Sequence, residues 1–189
     1  MISNDFMIYH YLNVRQFGGR FLLLAVIIAG WLWTQASATA AAGLKVGDRF
    51  PALSGFALDG KIPESLKDKV LLVDFWASWC DPCKASFPAM EALHKTYKEK
   101  GLVIIAVNVD ENRSDMDDFL KKNVATFLVL RDAAQKLVEM AGIKTMPSSF
   151  LVDREGKIKY VHSGYLGEAT RKKYEQEVQE LLQITPNAR

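Results

Sequence analysis

The apolar residues of this chain alternate between continuous runs and helix-spaced stripes. Val70 to Trp76 (VLLVDFW) is an apolar run broken only by Asp74, and Leu102 to Val109 (LVIIAVNV) is a second. Such runs predict strands covered on both faces. Between them Phe87, Met90, Leu93 and Tyr97 recur at helical spacing, which predicts a helix from Pro82 to Lys100 with Gly101 as its stop. Further on, Ser114 to Asn123 predicts a helix with Ser114 as N-cap and acids in its first turn. Phe127 to Leu130 predicts a short strand, and Ala133 to Ala141 a short helix ended by Gly142. Ser149 to Val152 and Lys157 to His162 flank Asp153-Arg154-Glu155-Gly156 and predict a hairpin, and Glu168 to Leu182 an amphipathic helix. Residues 43–68, punctuated by Gly47, Pro51, Gly55, Gly60 and Pro63, read as turns with short strands. Strands alternating with helices and closed by a hairpin imply an α/β fold with a mixed sheet.

The chain before residue 43 follows another pattern. Phe21 to Trp33 (FLLLAVIIAGWLW) is apolar or glycine throughout, Arg15 and Arg20 precede it, and no charge returns until Lys45. Ala36-Ser37-Ala38, Ala38-Thr39-Ala40 and Ala40-Ala41-Ala42 each fit the small-residue pattern of a signal-peptidase site. Residues 1–42 are therefore expected to be a signal peptide or, if uncleaved, an N-terminal membrane anchor. Either way residues 43–189 are the exported domain, because the arginines stay on the cytoplasmic side. No cysteine lies near the end of the leader to carry a lipid.

Composition narrows the function classes. With 49% hydrophobic and 24% charged residues the chain is not a disordered tail. Its 24 Lys plus Arg against 22 Asp plus Glu offer no basic excess for nucleic acid. Two cysteines cannot supply a four-thiolate zinc or iron–sulfur site. What they can do depends on their spacing. Cys80-Asp81-Pro82-Cys83 stands where the first buried run hands over to the long helix. There the unpaired N–H groups of the helix start favour a thiolate on the first cysteine, and Pro82 suits the first turn because its missing N–H is not needed. A bridge closing so short a loop removes little chain entropy, so a reactive couple outranks a scaffold disulfide; half of a metal site is the third reading.

Val73-Asp74-Phe75-Trp76-Ala77-Ser78-Trp79-Cys80-Asp81-Pro82-Cys83-Lys84 resembles the active-site segment of thioredoxins. Pro88 matches the proline that kinks the following helix in that family, and Met146-Pro147 before an apolar strand resembles its cis-proline loop. Within the superfamily the chain is most similar to the TlpA/ResA-like exported thiol-disulfide oxidoreductases. The features are the Gly47 to Leu66 stretch, the long gap between Cys83 and Pro147, and the hairpin Phe150 to Ile158. The resemblance implies a thioredoxin-like fold, a mixed central sheet flanked by helices, with extra N-terminal strands and one inserted helix–strand unit. In one respect the chain departs from the pattern. Many members carry Glu three residues after the second cysteine, where this chain has Ser86, while Asp74 matches the buried Asp of thioredoxin.

The resemblance implies Cys80 as nucleophile, Cys83 as the resolving thiol and Asp74 as the carboxylate that manages the resolving proton. For Asp74 the bland reading is an acid at a strand edge with solvent access. Trp79, Asp81, Pro82, Met146 and Pro147 are the expected substrate-binding residues, with Trp76 packing behind them. The Asp81 charge opposes a Cys80 thiolate by an amount comparable to the helix-terminus benefit, which favours a reductant, unless Asp81 points to water or Lys84 offsets it. The expected activity is reduction of protein disulfides in the bacterial periplasm, by a domain either soluble or anchored to the inner membrane. It needs no cofactor and is recharged by a membrane dithiol donor. Apocytochrome c or copper-handling proteins are the substrates the family implies, hence a place in cytochrome c maturation. No nucleic acid and no oligomer are expected. The alternatives are a disulfide-forming oxidase of the same fold and a copper-binding assembly factor using Cys80, Cys83 and a histidine such as His162. Histidine 94 and the Arg171-Lys172-Lys173 run read as ordinary surface or satisfied residues.

Overall fold

Strand β1 (Val70–Trp76) is buried at every position, as its unbroken apolar run requires, and lies in the middle of a five-stranded sheet. The computed structural model describes residues 43–183; the leader expected over 1–42 lies outside the described residues. Strand β2 (Leu102–Asn108) pairs with β1 in parallel, and β3 (Leu128–Arg131) pairs in parallel with β2. On the other side β4 (Ser148–Val152) runs antiparallel to β1, and β5 (Ile158–Ser163) antiparallel to β4, giving the order β3-β2-β1-β4-β5. The sheet is mixed because the first strands are joined by helical crossovers, whereas β4 and β5 are joined by a tight turn. In that turn Asp153 accepts from the amides of Glu155 (3.0 Å) and Lys157 (2.9 Å).

Helix α1 (Asp81–Tyr97) links β1 to β2, α2 (Arg113–Lys122) links β2 to β3, α3 (Lys136–Ala141) follows β3, and α4 (Glu168–Leu181) closes the described chain. Between β2 and β4, where an inserted helix–strand unit is expected, the chain places α2, β3 and α3. Side chains alternate across a strand, so Leu72, Asp74 and Trp76 share one face of β1 and Val73 and Phe75 the other. On the first face the Trp76 ring packs at 4.7 Å from both Phe87 of α1 and Phe119 of α2. Helix α4 joins them, since the Tyr97 hydroxyl of α1 donates to Glu175 (3.3 Å) and accepts from Gln179 (2.7 Å). On the second face Phe75 stacks edge-on against Phe150 at 6.0 Å, and Phe150 meets Phe50 of the N-terminal segment at 5.9 Å. Each such aromatic contributes about 1.5–3 kcal/mol by burial.

Three local expectations are corrected. The N-terminal strands contract to two isolated bridges, Arg49 opposite Lys157 and Asp59 opposite Arg131, because Pro51, Gly55, Gly60 and Pro63 break the segment into turns. Helix α2 starts one residue early, at Arg113, with Asn112 rather than Ser114 in the N-cap position. Helix α3 begins at Lys136 rather than Ala133, because the buried Asp132 carboxylate accepts from the amides of Lys136 (3.1 Å) and Val138 (2.8 Å) and so delays the first turn. Gly142 ends α3 with φ 69°, and a Cβ there would lie 2.4 Å from Gly43 Cα. Only glycine allows both the left-handed backbone and that approach.

Candidate active site

The site is built where β1 ends and α1 begins. The connecting turn is held by a residue that the sequence reading missed. Asp110, buried just past β2, accepts from both the amide and the hydroxyl of Ser78, each at 3.1 Å. Asn108 donates to the same carboxylate at 2.8 Å, and the Arg131 guanidinium donates to the Asp110 carbonyl at 3.2 Å and to the Glu111 carbonyl. The sequence signal was Asn108-Val109-Asp110 at the end of an apolar strand; nothing in it says that Ser78 lies opposite.

Beyond this anchor Cys80 occupies the N-cap position of α1, its Sγ accepting from the Cys83 amide at 3.2 Å. Cys80 and Cys83 are joined as a disulfide with Cα atoms 5.2 Å apart. Both residues are buried, Cys83 completely. Pro82 stands exposed in the first turn. Asp81 points to solvent, its side chain 88% exposed, and is paired with Lys84 at 2.7 Å. The hydrogen bond and charge of Lys84 hold the Asp81 carboxyl below its ordinary range. Its charge therefore bears on Cys80 less than an unpaired carboxylate would.

Trp79 is 68% exposed, whereas Trp76 is fully buried. The Met146–Pro147 bond is cis, and the loop it forms is pinned by Ser148, whose hydroxyl donates to the Thr145 carbonyl at 2.7 Å, and by the Gly164 amide, which donates to the Pro147 carbonyl at 2.7 Å. Trp79 and Met146 line one cavity of about 610 Å³ together with Asp110, Glu111, Val138 and Glu139. The structure thus brings Trp79, the residue before Cys80, and Met146 to one groove, while Asp81, Pro82 and Pro147 do not line it.

Asp74 is fully buried on the face of β1 that α1 and α4 cover, which excludes the strand-edge reading. Burial pushes its carboxyl up to about 7, against the opposing hydrogen bond from Ser149 (2.5 Å to Oδ1). Oδ2 has no hydrogen-bond partner among the described residues. Ser86 is buried with its hydroxyl donating to the Cys83 carbonyl at 2.8 Å, so that position supplies no carboxylate. The copper set is not assembled: among the described residues no three His, Cys, Asp or Glu side chains are grouped to hold a metal. His162 lies on β5 with Nε2 2.6 Å from Glu177, and His94 packs against Phe127, its imidazole pushed below its ordinary value by burial.

The family model for redoxin matches residues 45–178. Over 134 residues the chain is 35% identical to thiol-disulfide oxidoreductase ResA of Bacillus anthracis, covering 70% of this chain and 76% of that one. ResA of Bacillus subtilis is 35% identical over 104 residues, 55% of this chain and 58% of that one. Among solved structures, a chain assigned as thiol:disulfide interchange protein DsbE from Chlorobium tepidum superposes with a TM-score of 0.68 at 38% identity, covering 74% of this chain and 99% of its own. StoA from Bacillus subtilis does so at 0.51 and 28% identity, over 58% and 84%. With a closed Cys80–Cys83 pair at a helix start on a five-stranded mixed sheet, the chain belongs to the redoxin family, as a thioredoxin-like thiol-disulfide oxidoreductase of the TlpA/ResA type.

Proposed function

We propose that this protein reduces protein disulfides outside the cytoplasm, with Cys80 as nucleophile and Cys83 as resolving thiol. The observation that carries the reading is the Cys80–Cys83 bridge at the start of α1; Trp79, the residue before it, and Met146 line the groove proposed here for the substrate. In the reduced protein the Cys80 thiolate attacks one sulfur of a substrate disulfide; that bond breaks, and the departing sulfur leaves with the electron pair and takes a proton from solvent. Cys83 then attacks Cys80 in the mixed disulfide, releases the second substrate thiolate and passes its own proton to Asp74. The substrate gains two electrons and the enzyme closes its disulfide. A membrane dithiol donor of the kind this family uses restores the dithiol.

Export rests on the apolar run before residue 43, with residues 1–42 as signal peptide or membrane anchor. Among the described residues no helix is long and apolar enough to cross a membrane. Cytochrome c maturation is the setting that the resemblance favours, with the domain acting as a monomer. The reducing direction rests on the likeness to the TlpA/ResA-like group, because at the helix start Asp81 points to solvent, Lys84 offsets its charge, and Cys80 Sγ accepts an amide hydrogen bond. The deciding measurement is the reduction potential of the pair, equilibrated against dithiothreitol and glutathione. A value near about −270 mV supports a reductant, and one near about −120 mV overturns the direction in favour of disulfide formation.

A further inference from the structure

Asp74, Ser149 and Tyr174 come from β1, β4 and α4 and meet in one buried line. Ser149 lies opposite Asp74 in the β1–β4 register, its hydroxyl 2.5 Å from Asp74 Oδ1 and 2.6 Å from the Tyr174 hydroxyl. All three residues are fully buried. A serine hydroxyl has one proton. If Ser149 donates it to Asp74, it can only accept from Tyr174, so the proton order runs from Tyr174 to Ser149 to Oδ1. Among the described residues the Tyr174 hydroxyl has no second partner.

This order distinguishes the two carboxyl oxygens. A proton placed on Oδ2, the oxygen without a partner, leaves the line unchanged, because Oδ1 accepts from Ser149 in either state of the acid. A proton placed on Oδ1 would force Ser149 and Tyr174 to turn together, and would leave Tyr174 donating without an acceptor among the described residues, whereas one on Oδ2 disturbs neither hydroxyl. We infer that Ser149 and Tyr174 are positioning residues that keep Oδ1 as an acceptor and so make Asp74 Oδ2 the oxygen that receives and returns the Cys83 proton. The inference rests on the reading of Asp74 as the base for Cys83.

The other ionisable groups beside this line are His162 on β5 and its partner Glu177 on α4; the His162 ring lies edge-on to Tyr174 at 5.0 Å. Tyr165 stands beyond. Burial and the Asp74 charge raise the Tyr174 hydroxyl above its ordinary value, so Tyr174 enters as a neutral donor.

The test uses the full chain with a thionitrobenzoate group on Cys80, and follows release of the coloured thiol as Cys83 attacks. Its rate is measured against pH, alongside a carboxyl 13C titration of Asp74 in the oxidised protein. Both are done for the wild type, Tyr174→Phe, Ser149→Ala and Ser149→Thr, and the rate alone for Asp74→Asn, which has no carboxyl at this position. The wild-type rate should rise with a midpoint that follows the Asp74 titration. Tyr174→Phe should move both midpoints to higher pH by about half to one unit, a fall of about two- to five-fold in rate at pH 7. Ser149→Ala should move them further, and Ser149→Thr, which keeps the hydroxyl, should restore them. Unshifted or lowered midpoints in Tyr174→Phe and Ser149→Ala, with the Asp74→Asn profile flattened, overturn the positioning inference while leaving Asp74 as the base. An Asp74→Asn profile like the wild type removes the base itself.

Discussion

The Asp74 carboxyl, buried with one oxygen partnered, rises from an ordinary 3.8 to about 7, and that makes folding sensitive to pH. The folded protein holds this proton through a range in which the unfolded chain has lost it. The stabilising contribution is therefore complete below about pH 4 and is lost as pH rises to about 7, at about 1.4 kcal/mol per pH unit. Asp74→Asn removes the titration. Urea unfolding should show the variant less dependent on pH between 4 and 7, and more stable than the wild type at pH 8 by on the order of 4 kcal/mol. Asp110 is a residue of the opposite kind, buried but fully partnered. Asp110→Ala leaves the Ser78 amide and the Asn108 side chain without their acceptor, and should cost about 1–3 kcal/mol. The same variant should slow substrate reduction, because the turn before Cys80 loses its anchor. Asp74 was legible in the sequence as one charge inside an apolar run, whereas Asp110 was not, because its partner Ser78 is distant along the chain.

At the scale of elements, the start of α1 carries the redox pair, and Trp79 before it lines the groove proposed above for the substrate. Trp79 is exposed, so Trp79→Ala should change stability by no more than about 0.5 kcal/mol while lowering the rate with protein disulfides. Trp76→Ala, three residues earlier in the same motif, opens the contact with Phe87 and Phe119 and should cost about 3–5 kcal/mol in urea unfolding. The two tryptophans separate because Trp76 belongs to the alternation of β1 and Trp79 to the turn after it. Cys83→Ser should trap substrate on Cys80, visible by mass spectrometry as a stable mixed disulfide. The strands and the long helix were readable because burial on both faces and the helical stripe are properties of contiguous residues. The start of α3 was not, because the Asp132 side chain sets it through hydrogen bonds that compete with the helix.

For the whole molecule, the disulfide closes a ring of only a few residues, so it adds little to global stability. Oxidised protein should exceed reduced protein by no more than about 2 kcal/mol in denaturant unfolding, since loop-closure entropy grows with loop length. The core lies within the described residues, with aromatic layers on both faces of one sheet, and the redox pair stands at the end of its central strand. The sequence by itself determined the α/β class, the strand and helix order, the redox pair and the likeness that names its family. Each of these depends on residues close together in the chain or on a motif that is contiguous. Only the tertiary structure decided which polar groups meet. The Asp110 anchor under Ser78, the Lys84 pairing that moderates Asp81, and the line from Tyr174 through Ser149 to Asp74 all depend on strand register and helix packing. A hydrogen bond is decided within a few tenths of an ångström, and no pattern along a chain carries a distance between elements.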